Sequence, residues 1–485
     1  MTRGAALFVA IAAVVFLVHA PYLALPYFWD ELGQFVPAAL DIYHDLAWVP
    51  HSTVPNAHPP GVMAYLALVW KIFGYSIPAT RAAMLLLAGC AAFLAILLAR
   101  QLSLNLRGWW VLAPALLLVL DPLFYMQAMM AQLDMPAALF TLLALFLFLT
   151  DRHKAAALAS TALVLSKETG ALLPLILGAA LLIDPARRKF AAFYLAPFLA
   201  LAVWFLVLWR ATGHLFGDAG FTHYNLIYSL HPVRAALSLI RRFYYLFLAD
   251  FRWVGTLAIL AAWRRSAIYS TRAWKITGLF VAAHVVMVSL LGGAELERYL
   301  LPVIPLLYVA MAAALVTLRA RWRNLGIAVA AAGLLAGLFV NPLFPFPYEN
   351  NLAMVDFVQL HRAAAQLLER QHPDQTVYTA WPLTQALRDP VFGYVTKKLG
   401  AAETSDLRRS TLEAIDPKSV NVLVLYSRTW EPSWGVLRWA MVQRFLGRYY
   451  EYEPEMNSDE VRRHFGLIPV RRWTQHGQWI EIYAR

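Results

Sequence analysis

Long apolar runs separated by short polar connections set the rhythm of this chain. Residues 5–18, 82–99, 109–120, 135–150, 190–209, 276–291 and 325–340 are almost wholly apolar, and each run is bounded by charge, proline or glycine. A helix of ~20 apolar residues crosses the ~30 Å hydrocarbon layer of a bilayer, so these runs read as spans. Counting shorter runs such as 155–165 and 171–183, the pattern predicts about eleven spans and a mainly α, polytopic helical bundle. Residues 1–20 resemble a signal peptide in length and flanks, but the polar segment that follows belongs beside the membrane, which favours an uncleaved first span.

The connections alternate in charge. One set holds Arg100 and Arg107; Arg152 and Lys154; Arg187, Arg188 and Lys189; Arg264, Arg265, Arg272 and Lys275; and Arg319, Arg321 and Arg323. The positive-inside rule makes these cytoplasmic. The other set carries Asp30 and Glu31, Asp121 and Asp134, Lys167 and Glu168, and Glu295, Glu297 and Arg298, and faces outward. With an odd number of spans the N-terminus is cytoplasmic and the C-terminal third extracytoplasmic. Composition agrees with this reading: 60% of residues are hydrophobic and 14% charged, far from the roughly 45–50% and 25% of soluble domains. The net charge of +12 is accounted for by the cytoplasmic connections, so nucleic acid is not an expected partner. The single cysteine, Cys90, lies in an apolar run and reads as a small buried hydrophobe.

After Asn341 the composition becomes that of a soluble domain. A helix is expected over 352–370, strands at 376–380 and 420–426, an aromatic-rich helix over 434–449, and a hairpin over 470–483 turning near His476-Gly477. The expected organisation is a membrane domain, 1–342, whose first outer loop (about 26–76) carries an acidic motif, and a small extracytoplasmic α/β domain, 343–485. No nucleotide-binding glycine fingerprint, metal-ligand spacing or internal repeat is evident.

The polar residues at the outer ends of the spans demand an account. Asp30 and Glu31 follow Phe28-Trp29 just beyond the first span, and Asn56-Ala57-His58-Pro59-Pro60 lies later in the same loop. Either the carboxylates cap an interfacial helix over 34–43, which acidic residues suit, or they are poised for chemistry. Asp134 opens a span in Asp134-Met135-Pro136, where capping alone is one explanation and a pair with Lys167, at the same depth beside Glu168, is another. Arg298 and Tyr299 open the tenth span against the positive-inside trend, which a bound anion explains; Arg81, at the outer start of the second span, raises the same question. A divalent ion gathered by His58 with His51, His214 and His223 remains the alternative to a metal-free site.

Phe28-Trp29-Asp30-Glu31, His58-Pro59-Pro60, Asp134-Met135-Pro136, Ser166-Lys167-Glu168 and Arg298-Tyr299-Leu300-Leu301-Pro302 occur in the order and topology of the protein O-mannosyltransferase and lipid A aminoarabinose transferase superfamily, which the first ~340 residues resemble. The resemblance implies the GT-C glycosyltransferase fold and a polyprenyl-phosphate sugar donor. It implies a catalytic carboxylate at Asp30 with Glu31 beside it and a second acid at Asp134 organised by Lys167; by their own chemistry Arg298, Lys167 and His58 are the candidate contacts to the donor phosphate. Glu168, Tyr299 and Arg81 are supporting residues. His58 follows the mannosyltransferase pattern where aminoarabinose transferases tend to have lysine, and the C-terminal region does not resemble the β-trefoil of eukaryotic mannosyltransferases. Together these imply a bacterial, multi-pass inner-membrane enzyme, without a cofactor, acting in the cell envelope on a protein, lipid A or polysaccharide acceptor. The competing classes are a secondary transporter, which asks for mid-span charges and repeated halves, and a non-catalytic assembly scaffold.

Overall fold

Proline marks the start of several apolar helices. A proline in the first turn of a helix is tolerated because the N–H it lacks has no intrahelical partner there, and several of these helices are entered through a 3₁₀ turn. Thus Gly108–Leu112 is a 3₁₀ turn leading into Ala113–Leu120 with Pro114 at its start. Arg188–Leu195 leads in the same way into Ala196–Thr212 at Pro197, and Glu168–Ala171 into Leu172–Leu182, which holds Pro174.

The computed structural model describes residues 3–103, 105–430 and 435–485. Trp434, the expected start of the aromatic-rich helix, lies outside the described residues. Each apolar run singled out from the sequence is helical over all but its last few residues. Among the described residues, four helices are long and apolar enough to cross a membrane alone: Gly4–Tyr22, Ile77–Leu102, Arg188–Thr212 and Arg272–Leu290. Gly108–Leu120 and Pro122–Met129 form a pair bent by 70°, and Asp134–Leu149, Glu168–Leu182 and Ile304–Leu315 are shorter apolar helices. The expected runs are therefore a mixture of helices long enough to span alone and shorter ones, with one bent pair meeting at Asp121. The protein is an integral membrane protein.

The chain forms two compact units: Met1–Leu23 with Pro37–Val340, and Ala24–Val36 with Asn341–Arg485. In the first, Ile77–Leu102 is a central helix against which Arg3–His19 and Asp134–Leu149 pack. It buries Ala83, Ala88, Gly89, Ala91, Ala92, Ala95 and Ala99, small residues that let helix backbones approach closely. The stretch read as the first outer loop holds a further apolar helix, Gly61–Phe73, which buries Val62, Met63, Leu66 and Trp70. At 13 residues it is too short to span, and it packs instead on Ile77–Leu102 and His153–Ser166.

The second unit is built on a five-stranded sheet of β1 (Val377–Ala380), β2 (Ala401–Thr404), β3 (Val422–Tyr426), β4 (Ile468–Gln475) and β5 (Gln478–Ala484), in the order β2-β1-β3-β5-β4. β1 is parallel to both neighbours, and β5 is antiparallel to β3 and to β4, with Val424 opposite Ile482. Every residue of β3 is buried, as its unbroken Val-Leu-Val-Leu-Tyr run predicts for a central strand. β4 is the exposed edge, guarded by Pro469, Arg471 and Arg472. The helix Ala353–Gln371 lays Met354, Val358, His361, Ala365 and Leu368 inward and packs on β4 and β5. The expected strands and hairpin are β1, β3 and β4–β5. β2 was not foreseen: Ala-Ala-Glu-Thr has little β propensity and is a strand because it pairs with β1.

Candidate functional site

In the membrane unit, charged residues from distant parts of the chain converge. Asp134 begins its helix buried, and Lys167, extended between His153–Ser166 and Glu168–Ala171, reaches it with Nζ 2.5 Å from Oδ1. Arg298 approaches the same carboxylate, Nε 3.4 Å from Oδ2, and donates from Nη1 to Gln132 Oε1 at 2.7 Å. Two buried cations therefore share one carboxylate. The Lys167 ammonium also sits 4.3 Å above the Tyr299 ring. Tyr299 is held on both sides: its carbonyl accepts from His284 Nε2 at 2.8 Å, and Gly292, at φ +94°, lies so close that a Cβ would be 2.7 Å from the ring.

Around this centre, His58 Nδ1 and Glu168 Oε2 are 2.8 Å apart, and the His58 ring meets Phe221 edge-on at 5.4 Å. Asn56 Oδ1 accepts the His58 backbone N–H at 3.0 Å, fixing the corner before Pro59. Arg81 is fully buried and donates to the Met129 carbonyl at 2.9 Å, which anchors the turn leading to Gln132 and Asp134. Three residues that sequence reading passed over belong here. Arg241 is ion-paired with Glu297, and Arg242 donates to the Leu296 carbonyl at 2.9 Å; both come from the strongly amphipathic helix Pro232–Phe247. Gln132 is the third. The sole signal for the arginines was a basic pair on a helix beside the outer connection.

A second buried network surrounds Arg252. Its Nη2 donates to Asp121 Oδ2 at 2.5 Å, Nη1 to Asp250 Oδ2 at 2.9 Å and the Tyr245 carbonyl at 3.1 Å, and Nε to the Tyr308 hydroxyl at 3.0 Å. The Tyr308 hydroxyl in turn donates to Asp121. Asp121 Oδ1 also accepts the Phe124 N–H at 2.9 Å, so this carboxylate both caps Pro122–Met129 and pairs across the bundle.

The acidic motif lies in the other unit, on the segment Ala24–Val36. Phe28 meets Phe357 edge-on at 5.2 Å, Trp29 meets Trp381 at 5.1 Å, the Arg428 guanidinium lies 5.5 Å from the Trp29 ring, and the Tyr394 hydroxyl donates to the Tyr27 carbonyl at 2.7 Å. Trp29 has φ +45°, a left-handed conformation costing a non-glycine residue about 1–2 kcal/mol, which this aromatic packing holds in place. The adjacent acids are used differently. Glu31 is fully buried and Oε2 accepts the Phe28 N–H at 2.8 Å, closing the turn on itself. Asp30 is half-buried at the head of the single wide turn Glu31–Phe35. Among the described residues no cluster of three or more His, Cys, Asp or Glu has metal-binding geometry.

No protein-family model and no curated protein matches the chain. Solved structures do. ArnT from Cupriavidus metallidurans bound to undecaprenyl phosphate is 14% identical, with a TM-score of 0.56 over 99% of this chain and 98% of that one; its apo state is 15% identical, with a TM-score of 0.53 over 99% and 97%. The archaeal oligosaccharyltransferase AglB from Archaeoglobus fulgidus, in complex with an inhibitory peptide and a dolichol-phosphate, is 12% identical, with a TM-score of 0.52 over 87% of this chain and 69% of that one. Both are GT-C glycosyltransferases, and the present chain has the GT-C fold.

Proposed function

We propose that this protein is a membrane glycosyltransferase that moves a sugar from a polyprenyl-phosphate donor to an extracytoplasmic acceptor, inverting the anomeric carbon. The observation that carries the reading is the pair of buried cations, Lys167 and Arg298, sharing the single carboxylate of Asp134. A guanidinium and an ammonium brought together in a buried site suit a phosphate, which the guanidinium can grip through two parallel hydrogen bonds. Two of the solved neighbours with this fold were determined with undecaprenyl phosphate and with a dolichol-phosphate.

The acceptor's hydroxyl or amine gives its proton to Asp30 as its lone pair attacks the anomeric carbon. The bond from that carbon to the phosphate oxygen breaks, and polyprenyl phosphate leaves with the electron pair. Asp134 is a poor choice of base because its charge is already committed to Lys167 and Arg298, and Glu31 because its carboxylate closes its own turn. Arg298 and Lys167 stabilise the departing phosphate, Arg298 with the geometry to grip two oxygens, and His58 adds a third contact oriented by Glu168. Tyr299 steadies Lys167, and Arg81 supports the Asp134 turn. No step requires a metal or other cofactor. The acceptor is an envelope molecule: a protein, lipid A or a polysaccharide. The enzyme resides in the bacterial inner membrane, with its N-terminus cytoplasmic and its C-terminal unit periplasmic, as the charge of the connections indicates.

The test is to reconstitute the purified protein with a panel of polyprenyl-phosphate sugars and native membrane extract, and to compare wild type with Asp30→Asn. A general base contributes roughly 10²–10⁴-fold, so transfer should fall by at least two orders of magnitude with the melting temperature unchanged. Wild-type turnover in the variant would remove Asp30 from the mechanism.

A further inference from the structure

A groove of about 600 Å³ runs between the helices Leu172–Leu182 and Arg272–Leu290. Its walls are aliphatic, and Leu175, Ile183 and Leu279 stay 57%, 83% and 57% exposed, so the protein itself does not fill it. One end is different in kind. There Arg272 donates to Asp184 Oδ2 at 2.5 Å and to the Ala180 carbonyl at 2.8 Å, bracing the two helices together. Arg187 Nε lies 3.9 Å from the same Asp184 oxygen. The carboxylate at the rim is thereby neutralised. Lys275, on the next turn of the Arg272 helix, lines the groove, is exposed, and has no side-chain hydrogen bond or ion pair among the described residues. The connection after Asp184 adds Arg188 and Lys189, so the mouth carries a clear cationic excess.

We propose that this groove binds one anionic phospholipid, its acyl chain along Leu175, Ala179, Ile183 and Leu279 and its phosphate on Lys275 beside Arg272. The aliphatic walls select a lipid over free phosphate, which would leave them wetted. The cationic rim selects an anionic headgroup over a zwitterionic one, whose own cation would face Arg272 and Lys275. The occupant braces the Leu172–Leu182 and Arg272–Leu290 pair in addition to the Arg272–Asp184 bridge.

The experiment is lipid titration of the purified full-length protein by native mass spectrometry, with phosphatidylglycerol, phosphatidylcholine and inorganic phosphate as probes. It reads binding rather than sugar transfer, so it stands or falls apart from the proposed activity. Phosphatidylglycerol should bind at one tight site with several-fold preference over phosphatidylcholine. Lys275→Gln should lower phosphatidylglycerol affinity about fivefold, as expected for one basic residue near a lipid surface, and leave phosphatidylcholine unchanged. Ala179→Trp, which fills the groove from an exposed position, should remove the site for both lipids. Unchanged phosphatidylglycerol binding in either variant overturns the proposal, as does competition by inorganic phosphate at concentrations matching the lipid.

Discussion

Asp134 illustrates what a single buried charge has to satisfy. Its carboxylate lies between Lys167 and Arg298, and removing it leaves two cations facing each other out of reach of bulk water. Breaking a buried pair in this way costs about 3–5 kcal/mol. Asp134→Asn should therefore lower the thermal unfolding midpoint in detergent by many degrees, whereas a midpoint unmoved within error would mean that the cations are hydrated there. The partnership with Lys167 was legible in the sequence, because an ionisable residue at the edge of an apolar run needs a partner at the same depth. The differing fates of Asp30 and Glu31 were not. Consecutive residues on a helical turn point about 100° apart, so the direction in which each carboxylate ends up is set by what packs around the turn. Arg241 and Arg242 were hidden for a related reason: basic residues on an amphipathic helix look alike whether they meet water or a neighbouring carboxylate.

At the level of elements, the wide turn Glu31–Phe35 is possible because of what it lacks. Gly33 lies against Trp381 so closely that a Cβ would fall 2.0 Å from the indole nitrogen. Gly33→Ala should consequently destabilise the protein by about 1–3 kcal/mol, the usual range for overpacking, and Trp381→Leu in the same chain should recover part of the loss. A double-mutant cycle on unfolding midpoints checks this, and additive effects would show that the two residues do not meet. A buried histidine in the helix Ala353–Gln371 makes a different prediction. His361 is 2% exposed, stacked 3.7 Å from Phe357 and edge-on to Tyr426 at 4.6 Å. Its Nδ1 donates to the Phe357 carbonyl at 2.8 Å, and Nε2 is buried without a hydrogen bond among the described residues. Burial, opposed only by that one hydrogen bond, lowers its pKa from the ordinary 6.5 to about 3. An unfolded chain binds a proton below pH 6.5 that the folded ring refuses until pH 3. Stability contributed by the neutral ring is thus complete above pH 6.5 and is lost as the pH falls through that window, by up to about 1.4 kcal/mol per pH unit. Melting curves of wild type and His361→Leu between pH 7 and pH 4 should converge toward acid; parallel curves would mean that the histidine is charged in the fold.

For the whole molecule, apolar runs of membrane length, the cationic connections and the soluble composition after Asn341 make a helical membrane bundle with a small α/β C-terminal part readable in the sequence. Five short motifs pointed to the GT-C fold, which the solved neighbours bear out at 12–15% identity. These features are legible because burial in lipid and strand or helix periodicity act on every residue of a segment, so the signal accumulates along the chain. What the sequence alone determined was therefore where the long apolar helices, the strands β1 and β3 and the β4–β5 hairpin lie, and which polar residues stand at the ends of the apolar runs. Tertiary structure alone decided the rest: that Ala24–Val36 packs with the C-terminal unit, that Asp121 finds Arg252 and Tyr308 across the bundle, that Ala401–Thr404 becomes a strand, and that Lys167 and Arg298 converge on one carboxylate. The physical reason is that these outcomes depend on pairs of residues far apart in the chain, and a contact between two distant side chains leaves no periodic trace in either segment.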